Sequence, residues 1–264
     1  MKDQLTELMT KYGKIGAIWF DGHWDHDSDK VPFDWRYDDL YSHIHRIDDA
    51  CLIGNNHHIT PIRGEDFQMF ERDLPGENTT GWADEQTVSS LPLEMCQTMN
   101  GMWGYKVADQ NYKSVNDLVR LIVKAASKGS NLLLNVGPQP DGNLPATAVE
   151  RLAGIGRWMG IYGDSVYGTD ASGLPEQDWG VTTRKGNRLY LHVFDPSSGK
   201  VSIPLSGFKY EPASKKSRKI RIGSVTALNG GAALAYSYSK DGILTVTLPV
   251  AATAPDYVVE VNIK

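Results

Sequence analysis

The sequence predicts an α/β fold in which βα units form a parallel sheet or barrel, followed by a small antiparallel β-sandwich. Over residues 1 to about 166, apolar runs of strand length alternate with stretches of helical periodicity, which is the pattern of βα units. After Gly168, short alternating runs are separated by turn residues, which is typical of a sandwich. The predicted domains are therefore residues 1–168 and 178–264, joined by a linker over residues 169–177.

Periodicity divides the first domain into alternating helices and strands. Apolar residues at i, i+3, i+4 and i+7 indicate a first amphipathic helix, which begins near Leu5 and ends at Gly13. The elements predicted after it are a strand over residues 15–20, a helix over 37–47, strands over 50–54 and 91–98, a helix over 115–128, a strand over 131–137 and a helix over 145–162.

The third helix has the clearest end signals. Ser114 with Asp117 resembles a capping box, in which each side chain bonds the backbone N–H of the other residue, and Gly129 ends the helix. The continuous apolar run over residues 131–137 is the kind of strand found in parallel sheets covered on both faces. Pro145 opens the last helix, because its fixed φ suits a first helical turn.

The second domain is predicted from six short alternating runs. They cover residues 188–194, 200–205, 219–225, 232–238, 243–248 and 257–263. Residues 195–199 and 240–242 supply turns between antiparallel neighbours.

Composition excludes several classes of protein. With 264 residues, 41% of them hydrophobic, the chain can bury a substantial core. A net charge of -5 argues against nucleic-acid binding, and the one basic cluster, Lys215, Lys216, Arg218, Lys219 and Arg221, is expected on a polar loop or edge strand. No run approaches the roughly 18 apolar residues of a membrane span, and no apolar signal core follows Met1. Cys51 and Cys96 lie in apolar stretches and are expected to be buried free thiols.

A strand that ends in an acid marks the first candidate catalytic residue. The apolar run Ile18-Trp19-Phe20 leads directly into Asp21 and then Gly22. In a βα barrel the loops after the parallel strands build the active site, so a carboxylate at a strand's carboxyl end points into its mouth. Asp21 is therefore the first candidate.

A second acid is expected on the same rim. Two carboxyl groups that face each other across a sugar ring suffice to cleave a glycoside, since one attacks the anomeric carbon and the other protonates the departing oxygen. Residues 64–73 hold several acids in a predicted loop beyond the second strand. The residues alone do not choose among them, and a merely solvated loop is the alternative interpretation.

The second strand ends in Asn55-Asn56-His57-His58. Sugar hydroxyls both donate and accept hydrogen bonds, so amides and neutral imidazoles suit them, whereas a structural role is the alternative for the histidines. Tryptophans are expected either as apolar platforms for sugar faces or as core residues. The chain has seven, among them Trp19, Trp24, Trp35, Trp82 and Trp103.

Metal sites have weak support in the sequence. Asp25, Asp27 and Asp29 alternate as in a calcium loop, but Lys30 stands where the loop needs glycine and Arg36 where it needs a bidentate glutamate. The histidines His23, His26, His57 and His58 could bind zinc but lack an H-E-x-x-H helix. We expect neither a metal nor a cofactor.

Three groups of motifs resemble those of family 29 glycoside hydrolases, the α-L-fucosidases. They are Trp19-Phe20-Asp21-Gly22, then Leu93-Glu94-Met95-Cys96 with Trp103-Gly104-Tyr105, and Asn131-Leu132-Leu133-Leu134-Asn135-Val136-Gly137-Pro138 with Asp141-Gly142. Their order and approximate spacing agree as well. The resemblance covers residues 1 to about 168, and the sandwich fits the carboxyl-terminal domain usual in that family.

The resemblance implies hydrolysis of terminal α-L-fucosides from glycans by a retaining, double-displacement mechanism. It identifies Asp21 as the nucleophile and Glu71 as the acid/base, with Asp66 and Glu65 as alternatives and Glu94 as a weaker option. His57 or His58 occupies the place where several members have a sugar-binding arginine. The expected substrate contacts are His23, His57 and His58, and the resemblance adds Trp103.

The resemblance also implies a partial (β/α)8-type barrel, because a complete barrel needs about 250 residues and eight strands. Family members carry a longer segment before the nucleophile, so the chain is expected to be the carboxyl-terminal part of a fucosidase with weak or no turnover alone. A missing amino-terminal segment or a second copy would complete the barrel. The alternative function is a non-catalytic carbohydrate-binding or interaction protein. The family implies an exported parent (periplasmic, extracellular or lysosomal), and the compartment of this chain is left open.

Overall fold

A computed structural model describes residues 1–31, 33–208, 220–249 and 255–264. Its helices are α1 (Lys2–Lys11), α2 (Tyr37–Ile47), α3 (Val115–Ser127) and α4 (Ala146–Tyr162), with 3-10 turns at His23–His26 and Gly163–Ser165. Its strands are β1 (Ala17–Phe20), β2 (Leu52–Asn55), β3 (Gln68–Glu71), β4 (Leu93–Thr98), β5 (Ser130–Asn135), β6 (Asp170–Ala171), β7 (Gly180–Lys185), β8 (Arg188–Val193), β9 (Lys200–Pro204), β10 (Ile222–Ala227), β11 (Tyr236–Tyr238), β12 (Ile243–Thr247) and β13 (Tyr257–Ile263). Of the predicted basic cluster only Arg221 lies within the described residues.

The described chain divides into two compact units. The first comprises Met1–Gln97 with Ser130–Leu133, and the second comprises Thr98–Gly129 with Leu134–Lys264. The predicted domains and the linker over residues 169–177 stay a prediction.

Parallel strands organise the first unit. β1 pairs with β2 so that Phe20 lies opposite Asn55, and β3 pairs with β4 so that Glu71 lies opposite Cys96. The backbone N–H of Asp66, just before β3, donates to the carbonyl of Ile53 in β2 at 2.8 Å. This pairing confirms the predicted α/β class and brings the carboxyl ends of the first three strands to one edge.

Helix α2 anchors this edge to the core. Its apolar stripe packs with α1 and with β2, and the buried cluster comprises Leu5, Leu40, Tyr41, Ile44, Cys51 and Ile53. Burying one such aliphatic side chain contributes about 1.5–3 kcal/mol, so the cluster fixes α2 against the sheet. Cys51 and Cys96 are both buried and free, which confirms that prediction.

The second unit packs helices and antiparallel strands. One sheet has the strand order β10-β13-β8-β7-β6 and the other the order β11-β12-β9. Side chains of both sheets share one buried core, which includes Leu189, Leu191, Val201, Ile203, Val246 and Val259. Helices α3 and α4 contribute to a second cluster with β7, β8 and β13, formed by Val119, Val123, Trp158, Val181, Tyr190 and Val258.

Helix α3 begins at the predicted capping box. The backbone N–H of Asp117 donates to Ser114 Oγ at 3.1 Å, and the N–H of Ser114 donates to Asp117 Oδ2 at 3.1 Å. Helix α4 starts directly after Pro145, also as predicted. None of the described helices is long and apolar enough to span a membrane.

Several short strands differ from the sequence-based assignment. Residues 68–71, which were expected in a loop, form β3. The sequence does not predict β7, and β6 lies inside the predicted linker. Strands of two to six residues offer few alternating positions, so their periodicity hardly differs from that of a loop.

Within the part of the chain that the structure describes, strand β5 is covered on one face only, which corrects the prediction from its continuous apolar run. Leu133 is 48% exposed, and Asn131 is exposed on the same side of the strand. An apolar run predicts a strand but not the neighbour that covers its second face, because that neighbour comes from elsewhere in sequence.

The capping box of α3 gives a stability prediction. Replacing Ser114 with alanine removes the acceptor for the Asp117 N–H, so we expect the free energy of unfolding to fall by about 1 kcal/mol in urea denaturation. Ser114→Thr, which keeps a hydroxyl acceptor, should stay close to wild type. Equal losses in both variants would show that the capping bonds do not stabilise α3.

Candidate active site

The ends of β1, β2 and β3 place three polar side chains at one edge of the first unit. Asp21 follows β1, Asn56 follows β2, and Glu71 is the last residue of β3. The backbone N–H of Asn56 donates to the carbonyl of Phe20 at 2.9 Å, which extends the β1–β2 pairing by one residue. Residues directly opposite each other in neighbouring strands share a face, and Asp21 and Asn56 each follow the opposed pair Phe20 and Asn55, so they project to the same side.

The side-chain amide of Asn56 joins the two acids. Its Nδ2 donates to Asp21 Oδ1 at 3.2 Å and to Glu71 Oε2 at 2.7 Å. These two oxygens therefore lie no further apart than the sum of the two distances, 5.9 Å. Asn56 is buried, with 1% of its surface exposed, so this bridge is fixed within the fold.

Asp21 is exposed at the rim, and the backbone after it turns sharply away. Gly22 has a φ of 84°, which glycine adopts without steric cost, and a 3-10 turn over His23–His26 follows. Asp21 is thus an accessible acid on a fixed strand end.

The Glu71 side chain is largely buried, and its Oε2 forms hydrogen bonds with His58 and Asn56. A hydrogen bond from His58 lowers the pKa of the Glu71 carboxyl, burial acts in the opposite direction, and the Asn56 amide and the Arg72 charge add to the lowering. His58 Nε2 lies 3.1 Å from Glu71 Oε2. The net direction favours the ionised form of Glu71. This position at a strand end corrects the expectation that the acid lies on a loop.

A cavity of about 630 Å³ opens beside Glu71. Its lining includes His23, His57 and His58 together with the exposed indoles of Trp24 and Trp82. The His58 ring stacks on Trp24 at a centroid distance of 4.7 Å and on Trp82 at 5.7 Å. Asp21 is linked to this cavity through the shared Asn56 amide.

Behind the cavity, His57 belongs to a buried network. The Ile59 N–H donates to His57 Nδ1 at 3.1 Å, so Nε2 carries the proton and donates to Glu65 Oε1 at 2.9 Å. Tyr41 also donates to Glu65 Oε1, at 2.9 Å. Both His57 and Glu65 are buried, so Glu65, an alternative acid, has its oxygen committed to this network.

The other alternative acids lie away from the shared amide. Asp66 Oδ2 accepts from the Ile53 N–H at 2.9 Å and contacts His45 Nε2 at 3.1 Å. Glu94 lies opposite Met69 in the β3–β4 register, one layer deeper than Glu71, and burial raises its pKa. The choice among these acids stays a prediction, and the geometry favours Glu71.

The remaining expected contacts occupy different places. His23 Nδ1 lies 3.0 Å from the Tyr37 hydroxyl, and burial, followed by repulsion from His57, lowers the His23 pKa. Trp103 belongs to the second unit, where its carbonyl accepts from Asn135 Nδ2 at 2.8 Å. Its contact with substrate stays a prediction.

The sequence did not predict that Asn56 bridges Asp21 and Glu71. It also did not predict that Trp24 and Trp82 both stack on His58. Asn56 stands one residue after β2, as Asp21 does after β1, and that equivalence was the available signal. Nothing in the sequence brings Trp24 and Trp82 to the same imidazole. Among the residues that the structure describes, no three His, Cys, Asp or Glu side chains are grouped as metal ligands.

Comparisons with known proteins agree on one family. The family model described as alpha-L-fucosidase matches residues 1–164. The plasma alpha-L-fucosidase of Rattus norvegicus is 29% identical over 267 residues, which cover 93% of this chain and 51% of the relative. The chain spans about half the length of such relatives, 45% in the case of the Dictyostelium discoideum alpha-L-fucosidase.

Solved structures give the same result. Alpha-L-fucosidase isoenzyme 1 from Paenibacillus thiaminolyticus is 30% identical with a TM-score of 0.77, and the match covers all of this chain and 61% of that one. Thermotoga maritima alpha-fucosidase in complex with a mechanism-based inhibitor is 25% identical with a TM-score of 0.71, over 99% of this chain and 55% of that one.

The shared amide gives a prediction for this site. Asn56→Asp places a third carboxylate against Asp21 and Glu71, and we expect the free energy of unfolding to fall by about 3 kcal/mol at pH 7. The loss should shrink towards pH 4, because protonation of one carboxyl relieves the repulsion and restores a donor. Urea denaturation at both pH values measures it.

The matched control is Asn229→Asp, the same chemical change in an exposed turn. It should change stability by less than about 0.5 kcal/mol at either pH. A pH-independent loss in Asn56→Asp would contradict a bridge between two ionised acids.

Proposed function

We propose that this chain, which belongs to the α-L-fucosidase family, carries the nucleophile and the proton donor of a retaining α-L-fucoside hydrolase. The observation that carries the proposal is the Asn56 amide at the end of β2, which joins Asp21 at the end of β1 to Glu71 at the end of β3. The chain spans about half the length of its relatives. We therefore include in this proposal the activity of the whole protein, its fucosylated substrate and its partners.

The separation of the two acids supports retention of configuration. Their amide-bound oxygens are at most 5.9 Å apart. Retaining glycosidases hold their carboxyl groups about 5–5.5 Å apart, whereas inverting enzymes leave about 6.5–9.5 Å to admit a water molecule. The spacing therefore favours direct attack by Asp21 on the anomeric carbon.

In the proposed reaction each acid has a distinct role. An Asp21 oxygen forms a bond to the anomeric carbon while the bond to the leaving oxygen breaks, and Glu71 gives that oxygen its proton. In the second half, Glu71 takes a proton from water as the water oxygen attacks the anomeric carbon and releases Asp21. The Asn56 amide keeps the Asp21 and Glu71 side chains at a fixed separation through both halves.

The cavity beside Glu71 suits a fucoside. Sugar rings present apolar C–H faces and hydroxyl edges, and the indoles of Trp24 and Trp82 supply apolar surface while His23 and His58 supply polar atoms. His57 also lines the cavity, and its hydrogen bond to Glu65 fixes this part of the wall.

We also infer how the strands belong together. The parallel strands of the first unit support a partial (β/α)8-type barrel, and the shared core of the two antiparallel sheets supports a carboxyl-terminal sandwich. The sheet face that carries Asp21 exposes Trp19 and Leu52. Further strands, from a longer polypeptide or from a second copy of the chain, would cover that face.

A non-catalytic carbohydrate-binding function is the second candidate. The exposed indoles Trp24 and Trp82 at an open cavity favour it, since sugar binding needs no proton transfer. The two functions differ in whether Asp21 reacts covalently with a fucosyl donor.

Covalent labelling tests the nucleophile. A 2-fluoro-fucosyl fluoride combines a good leaving group with a fluorine that slows hydrolysis of the intermediate, so a glycosyl ester should accumulate on the nucleophile. We expect mass spectrometry to find one fucosyl label per chain, on the peptide that contains Asp21.

Asp21→Ala should abolish the label, and Asp25→Ala, an exposed acid in the adjacent 3-10 turn, should keep it. Labelling at another acid would refute the role of Asp21. Glycan retention with no label on any residue would instead favour the binding function.

Leaving-group dependence tests Glu71. In Glu71→Gln, made in a polypeptide that supplies the further strands of the barrel, hydrolysis of an alkyl fucoside should fall by roughly 10²–10⁴-fold, because the departing alkoxide then lacks its acid. Hydrolysis of a dinitrophenyl fucoside, whose leaving group needs no proton, should change far less. The same test on Glu94→Gln separates the two acids, and a larger leaving-group effect in that variant would move the role to Glu94.

A further inference from the structure

We propose that His58 is a positioning residue that shares one proton with Glu71 and returns it to Glu71 as the leaving oxygen departs. This inference deepens the proposed function and rests on it. It starts from a difficulty at Glu71: a proton donor must carry a proton, yet the surroundings of this carboxyl favour its ionised form.

The first observation is the place of the His58 ring between two indoles. The ring planes of His58 and Trp24 differ by 10° at 4.7 Å, and those of His58 and Trp82 by 19° at 5.7 Å. The faces of an indole attract a cation through the ring quadrupole. Two such faces on one imidazole stabilise its protonated form and hold the ring plane fixed.

The second observation is where the ring points. Its Nε2 lies 3.1 Å from Glu71 Oε2, and both side chains are largely buried, 14% and 11% exposed. A pair with this little exposure is screened far less by solvent than a surface pair. The proton between the two atoms is therefore shared by a coupled pair, not held by two independent groups.

The third observation is the backbone of His58. Its φ of 59° lies in the left-handed region, which non-glycine residues seldom occupy. The preceding residue, His57, is anchored by its hydrogen bonds with the Ile59 N–H and with Glu65. This unusual backbone, between an anchored neighbour and two stacked indoles, directs the imidazole at Glu71.

The other charges around His58 are mixed. Asp27, Asp84 and Glu85 line the same cavity and favour an imidazolium. The Arg72 guanidinium, which lies 6.0 Å from the Trp82 ring centroid, opposes it. His23 and His57 line the cavity too, but the pKa of His23 is lowered and His57 Nδ1 accepts from the Ile59 N–H, so both rings favour their neutral forms. The direct bond to Glu71 is the contact that singles out His58 among these groups.

The proton balance of the reaction follows. In the free site the pair holds one proton between His58 Nε2 and Glu71 Oε2. As Asp21 bonds to the anomeric carbon and the bond to the leaving oxygen breaks, its electron pair stays on that oxygen, which takes the proton through Glu71 from His58 Nε2. In the hydrolytic half, the proton released by the attacking water passes through Glu71 back to His58, and Asp21 is freed.

A pH titration followed by nuclear magnetic resonance tests the coupling of His58 and Glu71 in the intact chain, and it needs no turnover. We expect the midpoint of the His58 ring titration to fall by about 1 pH unit or more in Glu71→Gln, since an opposite charge at this range shifts a titration by 1–3 units. Reciprocally, the midpoint of the Glu71 carboxyl carbon should rise in His58→Gln. Two reciprocal variants keep the test decisive if one of them fails to fold.

The chain offers an exposed pair as a control. His26 Nδ1 lies 2.8 Å from Asp29 Oδ2 with both side chains well exposed, so Asp29→Asn should move the His26 midpoint much less. Trp82→Leu removes one of the two indoles stacked on His58, so the midpoint of the His58 ring titration should fall. This fall should exceed the fall in the His26 midpoint that Asp29→Asn causes.

The result that overturns the proposal is a His58 titration that is the same in wild type and Glu71→Gln, or a Glu71 titration that is unchanged in His58→Gln. If Asp21 is labelled by the fluorinated fucosyl donor while His58 shows no coupling, the proposed function stands and this inference fails. If His58 and Glu71 are coupled but no label forms, the pair exists and its use in fucoside hydrolysis fails.

Discussion

One amide nitrogen holds the centre of the first unit together. Asn56 Nδ2 donates to carboxylates that come from two different strands, and like charges so close would otherwise repel each other. A buried amide that donates to both sides offsets part of this repulsion and fixes their spacing. The position of Asn56 in turn depends on the parallel pairing of β1 with β2, so the backbone register sets the geometry of the two acids.

A second tier of polar groups ties this centre to the hydrophobic core. Tyr41, on the buried stripe of α2, donates to Glu65, which accepts from His57 as well. Burial raises the pKa of Tyr41 and keeps it a donor. Because Glu65 accepts from two buried donors, it stabilises the wall of the cavity. His58, one residue further along the chain, faces the acid at the cavity instead.

The sequence was most informative where a local pattern decides the structure. Ser114 and Asp117 cap α3, the apolar stripe of α2 packs on the sheet, and the motif through Trp19 and Asp21 indicated the family. It was least informative where contacts join distant segments. Strand β3 is four residues long and carries no alternation, so Glu71 looked like a loop acid. The stacking of Trp24, His58 and Trp82 joins three separate segments in the same way.

The sequence by itself determined the α/β class, the helix ends and a short set of candidate acids, because these depend on neighbours within a few residues. Only the tertiary structure decided which acid stands beside Asp21. Glu65 is bound to Tyr41, Asp66 to the backbone of β2, and Glu71 alone among these three shares the Asn56 amide with Asp21. The physical reason is that hydrogen bonds between strand ends depend on register, and register is set by pairing between segments far apart in the chain.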